Sequence, residues 1–300
     1  MKRFILLALM LAAMGAVSGT TASISMANVC VRVEEQNTGS WTNATCTEKK
    51  AGEPKNWILI QEETLYLGSG QWCARVESGE PSLYKDPQCI SKSENGGFIK
   101  VYERPTWYVS GNQLKQGTRQ IKLQVKGVAI LKSVVAGKAL KIECKNAVSE
   151  GSTIEGNGLG QGQGKGRITF TSCASETCPP HEPIITNQTK AHLGTSTGSQ
   201  SKYVELFEPT QGENFTEIKL GGACLVTVAA KGTVAAEVIP GEAEGQEGLL
   251  NFPEPPIEKV NLEGQEKKVG LKLGAEPAKF SGTFGARLET KEVFGVFGSN

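Results

Sequence analysis

Two cysteine pairs with identical spacing place the strongest constraint on how this chain can fold. Cys30 and Cys46 are separated by 15 residues, and so are Cys73 and Cys89. Each segment opens Cys-x-Arg-Val-Glu and has an aromatic residue five positions before its closing cysteine. After each closing cysteine a polar stretch leads to an aromatic-isoleucine pair. We therefore predict a duplicated unit consisting of a strand, a loop closed by a Cys30–Cys46 or Cys73–Cys89 disulfide, and a short strand.

The N-terminus has the form of a secretory signal peptide. Two basic residues precede an apolar run from Phe4 to Met14, and small residues follow up to Ala27. The run is shorter than the roughly 20 apolar residues of a membrane span. We therefore predict cleavage near Ala27, with Ala22 as an alternative, and no transmembrane segment in the mature chain. All eight cysteines follow this segment, and an even number in an exported chain predicts disulfides and a secreted or cell-surface protein.

The four remaining cysteines allow three pairings, and spacing alone does not choose among them. Cys144 and Cys224 both lie in strongly alternating segments, whereas Cys173 and Cys178 flank a short loop. We therefore favour Cys144–Cys224 and Cys173–Cys178 pairs. Because no second close cysteine pair accompanies Cys173 and Cys178, we expect no metal site.

The charge balance indicates no general attraction to nucleic acid. The formal charge is +1 for the whole chain and becomes −1 when Lys2 and Arg3 leave with the signal peptide. The mature part contains no block of Lys and Arg. Only one of the 31 acidic residues is an aspartate, Asp86, which excludes calcium loops built from several short carboxylates. We therefore expect neither a nucleic-acid partner nor a cofactor.

Apolar residues alternate with polar ones in several short segments of the C-terminal part. Such alternation between Gly, Pro and Asn predicts half-buried antiparallel strands. The segments are 120–127, 139–146, 166–173, 224–240, 267–274 and 279–289. The best helix candidate is 129–140, and a strand interpretation fits it as well. The predicted fold is all-β: a signal peptide (1–27), tandem cysteine-loop modules (28–104) and a β-sandwich or open barrel (105–300).

Four segments read as connections between strands rather than strands. Residues 105–120 form a connector, and residues 195–201 form a short polar linker. Two exposed loops are predicted at 155–166, which is rich in glycine, and at 240–259, which is rich in Pro, Gly and Glu.

No segment completes a catalytic or phosphate-binding motif. The glycine-rich segment lacks the first glycine and the final Ser/Thr of a P-loop. Ser196 occupies the nucleophile position of a G-x-S-x-G pattern, but no histidine follows it. His181 and Glu182 are adjacent and could supply a base. Because glutamates are abundant, a glycosidase pair cannot be singled out. We assign no catalytic residue.

The aromatic residues concentrate in the cysteine modules and their surroundings. Trp41, Trp57, Trp72 and Tyr84 could form a platform for a sugar or a peptide. The favoured interpretation is that they fill the small cores of the two modules.

Three segments carry a resemblance to a known group of proteins. Residues 140–158, 166–178 and 221–240, with "TFTSC" and a later cysteine strand, resemble a family of uncharacterised secreted proteins of soil actinobacteria. The resemblance implies a bacterial signal peptide, disulfides and β-structure, and it implies no activity or site residues. The doubled cysteine unit and the "PEPPIEK" segment depart from that family's pattern.

These observations together favour a non-enzymatic extracellular protein. We expect a structural or binding role, with a cell-wall or other extracellular polymer as a candidate partner. One alternative is an extracellular hydrolase that uses glutamates or the His181-Glu182 pair. Another is a secreted protease inhibitor with a rigid exposed loop between paired cysteines.

Overall fold

The computed structural model describes residues 104–157, 162–197, 202–241 and 246–296, together with six strand segments between residues 27 and 102. Every regular element within these residues is a β-strand. The all-β prediction is confirmed. The predicted signal peptide, apart from Ala27, lies outside the described residues.

The six N-terminal strands form two small sheets. They are β1 (Ala27–Glu35), β2 (Thr45–Lys49), β3 (Trp57–Gln61), β4 (Gln71–Ser78), β5 (Gln88–Ser91) and β6 (Phe98–Tyr102). One sheet has the order β2-β1-β4-β5, and the other pairs β3 with β6. The register places Cys30 opposite Cys46 and Cys73 opposite Cys89, and Cys73 is disulfide-bonded. Between β1 and β4, Arg32 lies opposite Arg75, so the two Cys-x-Arg-Val-Glu segments pair through equivalent positions.

The strands after residue 104 are all paired in antiparallel fashion. They are β7 (Trp107–Val109), β8 (Asn112–Gln113), β9 (Gln116–Val135), β10 (Lys138–Asn157), β11 (Gly162–Ala174), β12 (Ile184–Ile185), β13 (Thr189–Ser196), β14 (Tyr203–Pro209), β15 (Asn214–Leu220), β16 (Val226–Gly232), β17 (Val234–Ile239), β18 (Gly248–Phe252), β19 (Lys259–Leu262), β20 (Gln265–Lys268), β21 (Leu271–Leu273), β22 (Glu276–Leu288) and β23 (Phe294–Val296).

Eight of these strands close into a barrel. Their order around the barrel is β9-β10-β11-β13-β14-β17-β18-β22, and β22 pairs with β9 again. Closure depends on β11, whose residues 163–166 pair with residues 189–192 of β13. The sandwich or open barrel that the sequence predicts is therefore corrected to a closed barrel, which leaves no free edge among these eight strands. An eight-stranded barrel has an interior just wide enough for side chains or one small ligand.

A second sheet extends from one end of the barrel. β9 and β10 continue past the barrel and join in a tight turn at Ala136 and Gly137, both with positive φ (50° and 74°). The helix candidate at 129–140 is thus a β-hairpin. A layer formed by β15, β16 and β21 faces this hairpin, and we call it the lid sheet. Its strand β21 pairs with the start of β22. A separate apolar core lies between hairpin and lid sheet and includes Leu140, Ile142, Ile218 and Leu273.

The opposite end of the barrel is filled by a three-stranded sheet of order β23-β7-β8. Trp107 is 1% exposed there, and its ring lies 6.0 Å from that of Phe294. The Trp107 indole N–H donates to the carbonyl of Gln163 at 2.8 Å. The connector predicted at 105–120 is therefore wrong: this segment holds β7, β8, the first five residues of β9 and a core tryptophan.

The strand β14 is buried on both of its faces. Val204 and Leu206 point outward, where they pack with Val260 and Leu262 of β19 in a small outer core. Gly194 on β13 permits this close packing, since an ideal Cβ there would come within 2.6 Å of the Asn261 carbonyl oxygen. Because both faces of β14 are covered, its sequence lacks the alternation of a half-buried strand.

Two predicted loops contain barrel strands. Residues 155–166 include the end of β10 and the start of β11, and residues 240–259 include all of β18. β18 pairs with both β17 and β22, so it is a central strand of the barrel. The polar linker predicted at 195–201 begins with the last two residues of β13, and its residues 198–201 lie outside the described part.

The two C-terminal disulfides differ from the favoured pairing. The bonds are Cys144–Cys173 and Cys178–Cys224. Cys144 and Cys173 lie directly opposite each other on β10 and β11, so the register of neighbouring strands decides this pair. Cys178 follows β11 and is bonded to Cys224, which joins the β15–β16 connection of the lid sheet to the barrel. Two disulfides are consistent with an extracellular protein.

Candidate ligand-binding cavity

The interior of the barrel contains a cavity of about 140 Å³ that continues beneath the lid sheet. Its walls are mainly the side chains of Ile, Leu and Phe. Barrel strands contribute Ile121, Leu123, Ile154, Leu250 and Phe284 among others, and the lid sheet contributes Phe215, Ile218 and Ala230. The cavity therefore lies between the barrel core and the lid core, and residues from both cores surround it.

Glycines on one face of β11 leave space inside the barrel. Gly162, Gly164 and Gly166 are spaced at the two-residue period of a strand, so all three face the lumen. An ideal Cβ on Gly162 would lie 2.9 Å from Cδ1 of Trp107, and one on Gly166 would collide with Ser152 Oγ. The glycine-rich tract is thus the thin wall of the barrel, which lets side chains of neighbouring strands occupy the volume beside it.

A cluster of phenylalanines forms the opposite wall. The ring centroids of Phe252 and Phe280 are 5.1 Å apart and those of Phe252 and Phe284 are 5.7 Å apart, both nearly edge to face. Phe207 lies 5.7 Å from Phe252. These distances and angles are those of favourable aromatic pairs, so this wall is rigid and strongly apolar.

One acidic side chain, Glu205, lies in this apolar interior. Glu205 is on β14, is 5% exposed and lines the cavity. On the same face of β14 is Phe207, and the residues opposite Glu205 in the register are Leu193 and Ala236. Burial raises the pKa of Glu205 to about 8, because the charged carboxylate loses its hydration in the apolar interior. At neutral pH the carboxyl group of Glu205 is therefore mainly protonated.

The Glu205 carboxyl group is accommodated against the thin wall. An ideal Cβ on Gly164 would lie 2.9 Å from Glu205 Oε1 and 3.1 Å from the carbonyl oxygen of Thr153. The same position lies 3.5 Å from the Cβ of Ala191, on the strand between β11 and β14. Small residues at 164 and 191 thus create the space into which the acid extends.

Three threonine hydroxyls around the cavity are hydrogen-bonded to the backbone, and the hydroxyl of Thr153 donates to Glu155 Oε1 at 3.0 Å. The Thr186 hydroxyl accepts from the N–H of Ile168 at 2.8 Å. The Thr189 hydroxyl donates to the Gly166 carbonyl at 2.8 Å, and the Thr216 hydroxyl donates to the Ile185 carbonyl at 2.7 Å. Among the described residues, no side chain forms a hydrogen bond or ion pair with the Glu205 carboxyl group, and burial is the only cause of its pKa shift.

The His181-Glu182 pair is used in local structure. Glu182 Oε2 accepts from the backbone N–H of Ser172 at 2.8 Å, and Oε1 accepts from that of Cys173. Ser172 has a φ of 54°, so the carboxylate stabilises an irregular point of β11. The two oxygens of Glu182 are therefore engaged with the backbone, and the pair lies on the exposed surface away from the cavity.

Ser196 lies at a strand end rather than at a strand-to-helix turn. Its hydroxyl accepts from the backbone N–H of Lys202 at 2.9 Å, and its own N–H donates to the Lys202 carbonyl at 2.8 Å. His192 is on the same strand and faces the opposite side from Ala191 and Leu193. Ser196 thus closes a hairpin, and its G-x-S-x-G pattern has no nucleophile geometry.

The proposed aromatic platform cannot be placed. Trp41 and Tyr84 lie outside the described residues, and Trp57 and Trp72 lie on β3 and β4 with side chains outside the description. In the described part of the chain, no group of three or more His, Cys, Asp or Glu residues could hold a metal ion. Within that same part, no helix has the length and apolar character needed to cross a membrane.

Comparison of the chain with protein-family models, with curated proteins and with solved structures gave no match in any of the three. The resemblance to secreted actinobacterial proteins therefore stays a prediction.

The sequence reasoning missed the cavity and its acid. Two signals were present: glycines at a strict period of two in 162–166, and a charged residue within the apolar run "YVELF". Glycines that alternate at a period of two are unusual in a surface loop. A charged residue within an apolar run is unusual in a half-buried strand.

Proposed function

We propose that this protein is a secreted, non-enzymatic binding protein that holds a small, mainly apolar molecule in the lumen of its barrel. The observation that carries the proposal is the cavity of about 140 Å³ lined by Ile, Leu and Phe. An apolar cavity of about 150 Å³ in another protein stays free of water and binds benzene or xenon. Small-molecule sites are typically concave, mostly apolar and provided with a few polar groups that fix orientation.

The arrangement around the cavity favours binding over catalysis. Glu205 is the acid of the lumen, and the described lining residues include no histidine and no reduced cysteine that could act with it. The lysine among them, Lys165, is paired with Glu155 at 2.7 Å. Hydrolysis by paired carboxylates needs two acids flanking a bond. The Glu182 carboxylate is engaged with backbone amides, which also weakens the hydrolase alternative.

Export is part of this proposal and has separate support. The sequence starts with a signal-like segment, and the C-terminal part contains the Cys144–Cys173 and Cys178–Cys224 disulfides. Disulfides form and persist in the oxidising environment outside the cytoplasm.

The test is the binding of benzene to the wild-type protein, measured by thermal unfolding and by NMR titration of methyl groups. Benzene should raise Tm in a concentration-dependent way, since a ligand that binds only the folded state stabilises it. Methyl shifts should concentrate on lining residues such as Ile121, Leu123 and Leu250. Absence of both effects at saturating benzene would refute the proposal.

A variant pair locates the site. Ala191→Leu adds volume at a residue that lines the cavity and is 2% exposed, so benzene binding should be lost. Ala139→Leu adds the same volume on the exposed face of β10 and should leave benzene binding unchanged. If Ala191→Leu retains full benzene affinity, the binding site lies elsewhere and the lumen proposal is wrong.

A further inference from the structure

We propose that the ligand of the lumen is a small apolar amine whose ammonium group is bound by Glu205. This inference rests on the proposed function and specifies the chemical class of the ligand. It starts from one contrast: an apolar cavity with satisfied threonine hydroxyls contains a single acid that is 5% exposed and lies against the space left by Gly164.

The buried carboxyl group of Glu205 destabilises the fold, because no described side chain forms a hydrogen bond or ion pair with it. Burying a carboxyl group without a partner destabilises a fold. A leucine or methionine would fill the same space at no such cost. Ionisable groups that lie in a cavity and whose pKa is shifted by desolvation are concentrated at functional sites. The placement of Glu205 is therefore explained by a ligand that supplies the missing partner.

One lysine, Lys165, is among the residues that line the cavity, but its side chain is half exposed and its ammonium group is paired with another acid. Lys165 on β11 binds Glu155 at 2.7 Å, and Lys202 next to β14 binds Glu237 of β17 at 2.7 Å. On β13, Lys190 and His192 alternate with the inward-facing Ala191 and Leu193, so both point outward. Lys190 lies 3.6 Å from Glu208, an outward residue of β14. The protein thus provides no cation of its own to the inner carboxyl group among the described residues.

An ammonium group matches the site in charge and in hydrogen bonding. It has three N–H donors for the two oxygens of Glu205, and charge-assisted hydrogen bonds are about twice as strong as neutral ones. Phe207 lies on the same face of β14 as Glu205, so its ring can add a cation–π contribution. The apolar part of the amine would occupy the space between the phenylalanine wall and Ile154.

The number of protons released on binding follows from the protonated state of Glu205 in the free protein. An ammonium ligand that meets the protonated carboxyl group forms an ammonium–carboxylate pair, and the carboxyl proton leaves to the buffer. Near pH 7, amine binding should therefore release close to one proton per site. A neutral hydrocarbon or an alcohol binds with no proton release.

The experiment compares benzene, cyclopentanol and cyclopentylamine, which are similar in size. Isothermal titration calorimetry at pH 7 is run in two buffers that differ in ionisation enthalpy, with the wild type, Glu205→Gln and Glu208→Gln. The control Glu208→Gln changes an outward acid on the same strand. We expect wild type and Glu208→Gln to bind cyclopentylamine at least roughly tenfold more tightly than benzene. We expect proton release with the amine only. Glu205→Gln should lose both the proton release and the preference for cyclopentylamine over benzene, and this preference is measured as a ratio of affinities within the same variant.

The outcomes separate this inference from the proposed function. If benzene binds but cyclopentylamine gains no affinity, or if Glu205→Gln keeps the preference, the amine inference is wrong and lumen binding stands. Equal affinity for cyclopentanol and cyclopentylamine without proton release also overturns it. If none of the three compounds binds the wild type, the proposed function itself fails. The buffer dependence of the binding enthalpy of cyclopentylamine is measured on the wild type alone. It therefore tests proton release even where Glu205→Gln does not fold.

Discussion

Glu205 reaches across β13 to the place that a side chain on Gly164 would occupy. The ideal Cβ position at Gly164 lies 2.9 Å from Glu205 Oε1, although the two residues are on strands separated by β13. This relationship links the glycine-rich tract to the acid of the lumen. The thin wall at β11 and the buried carboxyl group on β14 are two parts of one feature.

Replacing Gly164 with alanine should therefore destabilise the protein. The new methyl group meets Glu205 Oε1 and the rigid Thr153 carbonyl, and overpacking of this kind costs about 1–3 kcal/mol. In a Glu205→Ala background the cost should fall by roughly 0.5 kcal/mol or more, because one of the two contacts is gone. Urea unfolding of the single and double variants measures both values.

The matched control for that substitution is Gly270→Ala. No heavy atom lies within 4 Å of an ideal Cβ at Gly270, which is exposed. We expect no loss of stability, since alanine lowers the entropy of the unfolded chain. An equal loss at Gly164 and Gly270 would mean that the space beside β11 has no role.

Stability should depend on pH through Glu205. The pKa of this group is about 8 in the folded protein and 4.5 in the unfolded chain. Between these values the folded state keeps a proton that the unfolded state has lost, so the free energy of unfolding falls as pH rises. The contribution of the protonated acid is complete below about pH 4.5 and is lost as pH rises through about 8.

Chemical unfolding of wild type and Glu205→Gln from pH 5 to pH 9 tests this dependence. The free energy of unfolding of Glu205→Gln should rise relative to that of the wild type by a few kcal/mol from pH 5 to pH 9. Using the difference cancels the contributions of outward groups such as His192, whose pKa is lowered by burial. If the free energies of unfolding of the two proteins change in parallel with pH, the raised pKa of Glu205 is contradicted.

The Cys178–Cys224 disulfide should hold the lid sheet over the cavity. Its two cysteines are 46 residues apart, which corresponds to about 4 kcal/mol in the chain-entropy model. In a Cys178→Ser/Cys224→Ser variant we expect lower stability and faster exchange of bound benzene, measured by NMR lineshapes. A Cys144→Ser/Cys173→Ser variant should lose a similar amount of stability. Its bound benzene should exchange more slowly than in the Cys178→Ser/Cys224→Ser variant, because β10 and β11 stay hydrogen-bonded along their length. Equal exchange rates in both variants would show that the lid is not the route of entry.

Non-reducing peptide mapping should recover four separate cysteine pairs. Cys144–Cys173 and Cys178–Cys224 follow from the structure. Cys30–Cys46 and Cys73–Cys89 follow from the equal spacing in the sequence and agree with the strand register. A disulfide-linked peptide pair that contains Cys30 and Cys73 would contradict the prediction of two independent cysteine loops.

The strands with strong alternation could be predicted from the sequence, and the closure of the barrel could not. "QIKLQVKG" and "KFSGTFGARLE" place apolar residues on one face, and they are β9 and β22, which pair with each other. Closure depends on β11, where glycines replace the apolar residues on the inner face. Glycine carries no hydrophobic signal and favours turns, so this tract reads as a loop.

The site was hidden for a related reason. Glu205 lies in a strand with both faces buried, where the only irregularity is one charge between apolar neighbours. Its partner wall is β11, and β13 contributes the small Ala191 between them. Which residues meet inside a closed barrel depends on register and strand order, which local sequence patterns do not encode. The pairing of Cys144 with Cys173 was missed on the same grounds.

The most direct test of the account is a crystal structure determined under xenon pressure. The account predicts a xenon atom in the lumen, in contact with Phe252, Phe284 and Ile154 and with no ordered water beside it. A lumen filled by repacked side chains or by ordered water, with no xenon bound, would contradict the claim that this barrel encloses an apolar binding cavity.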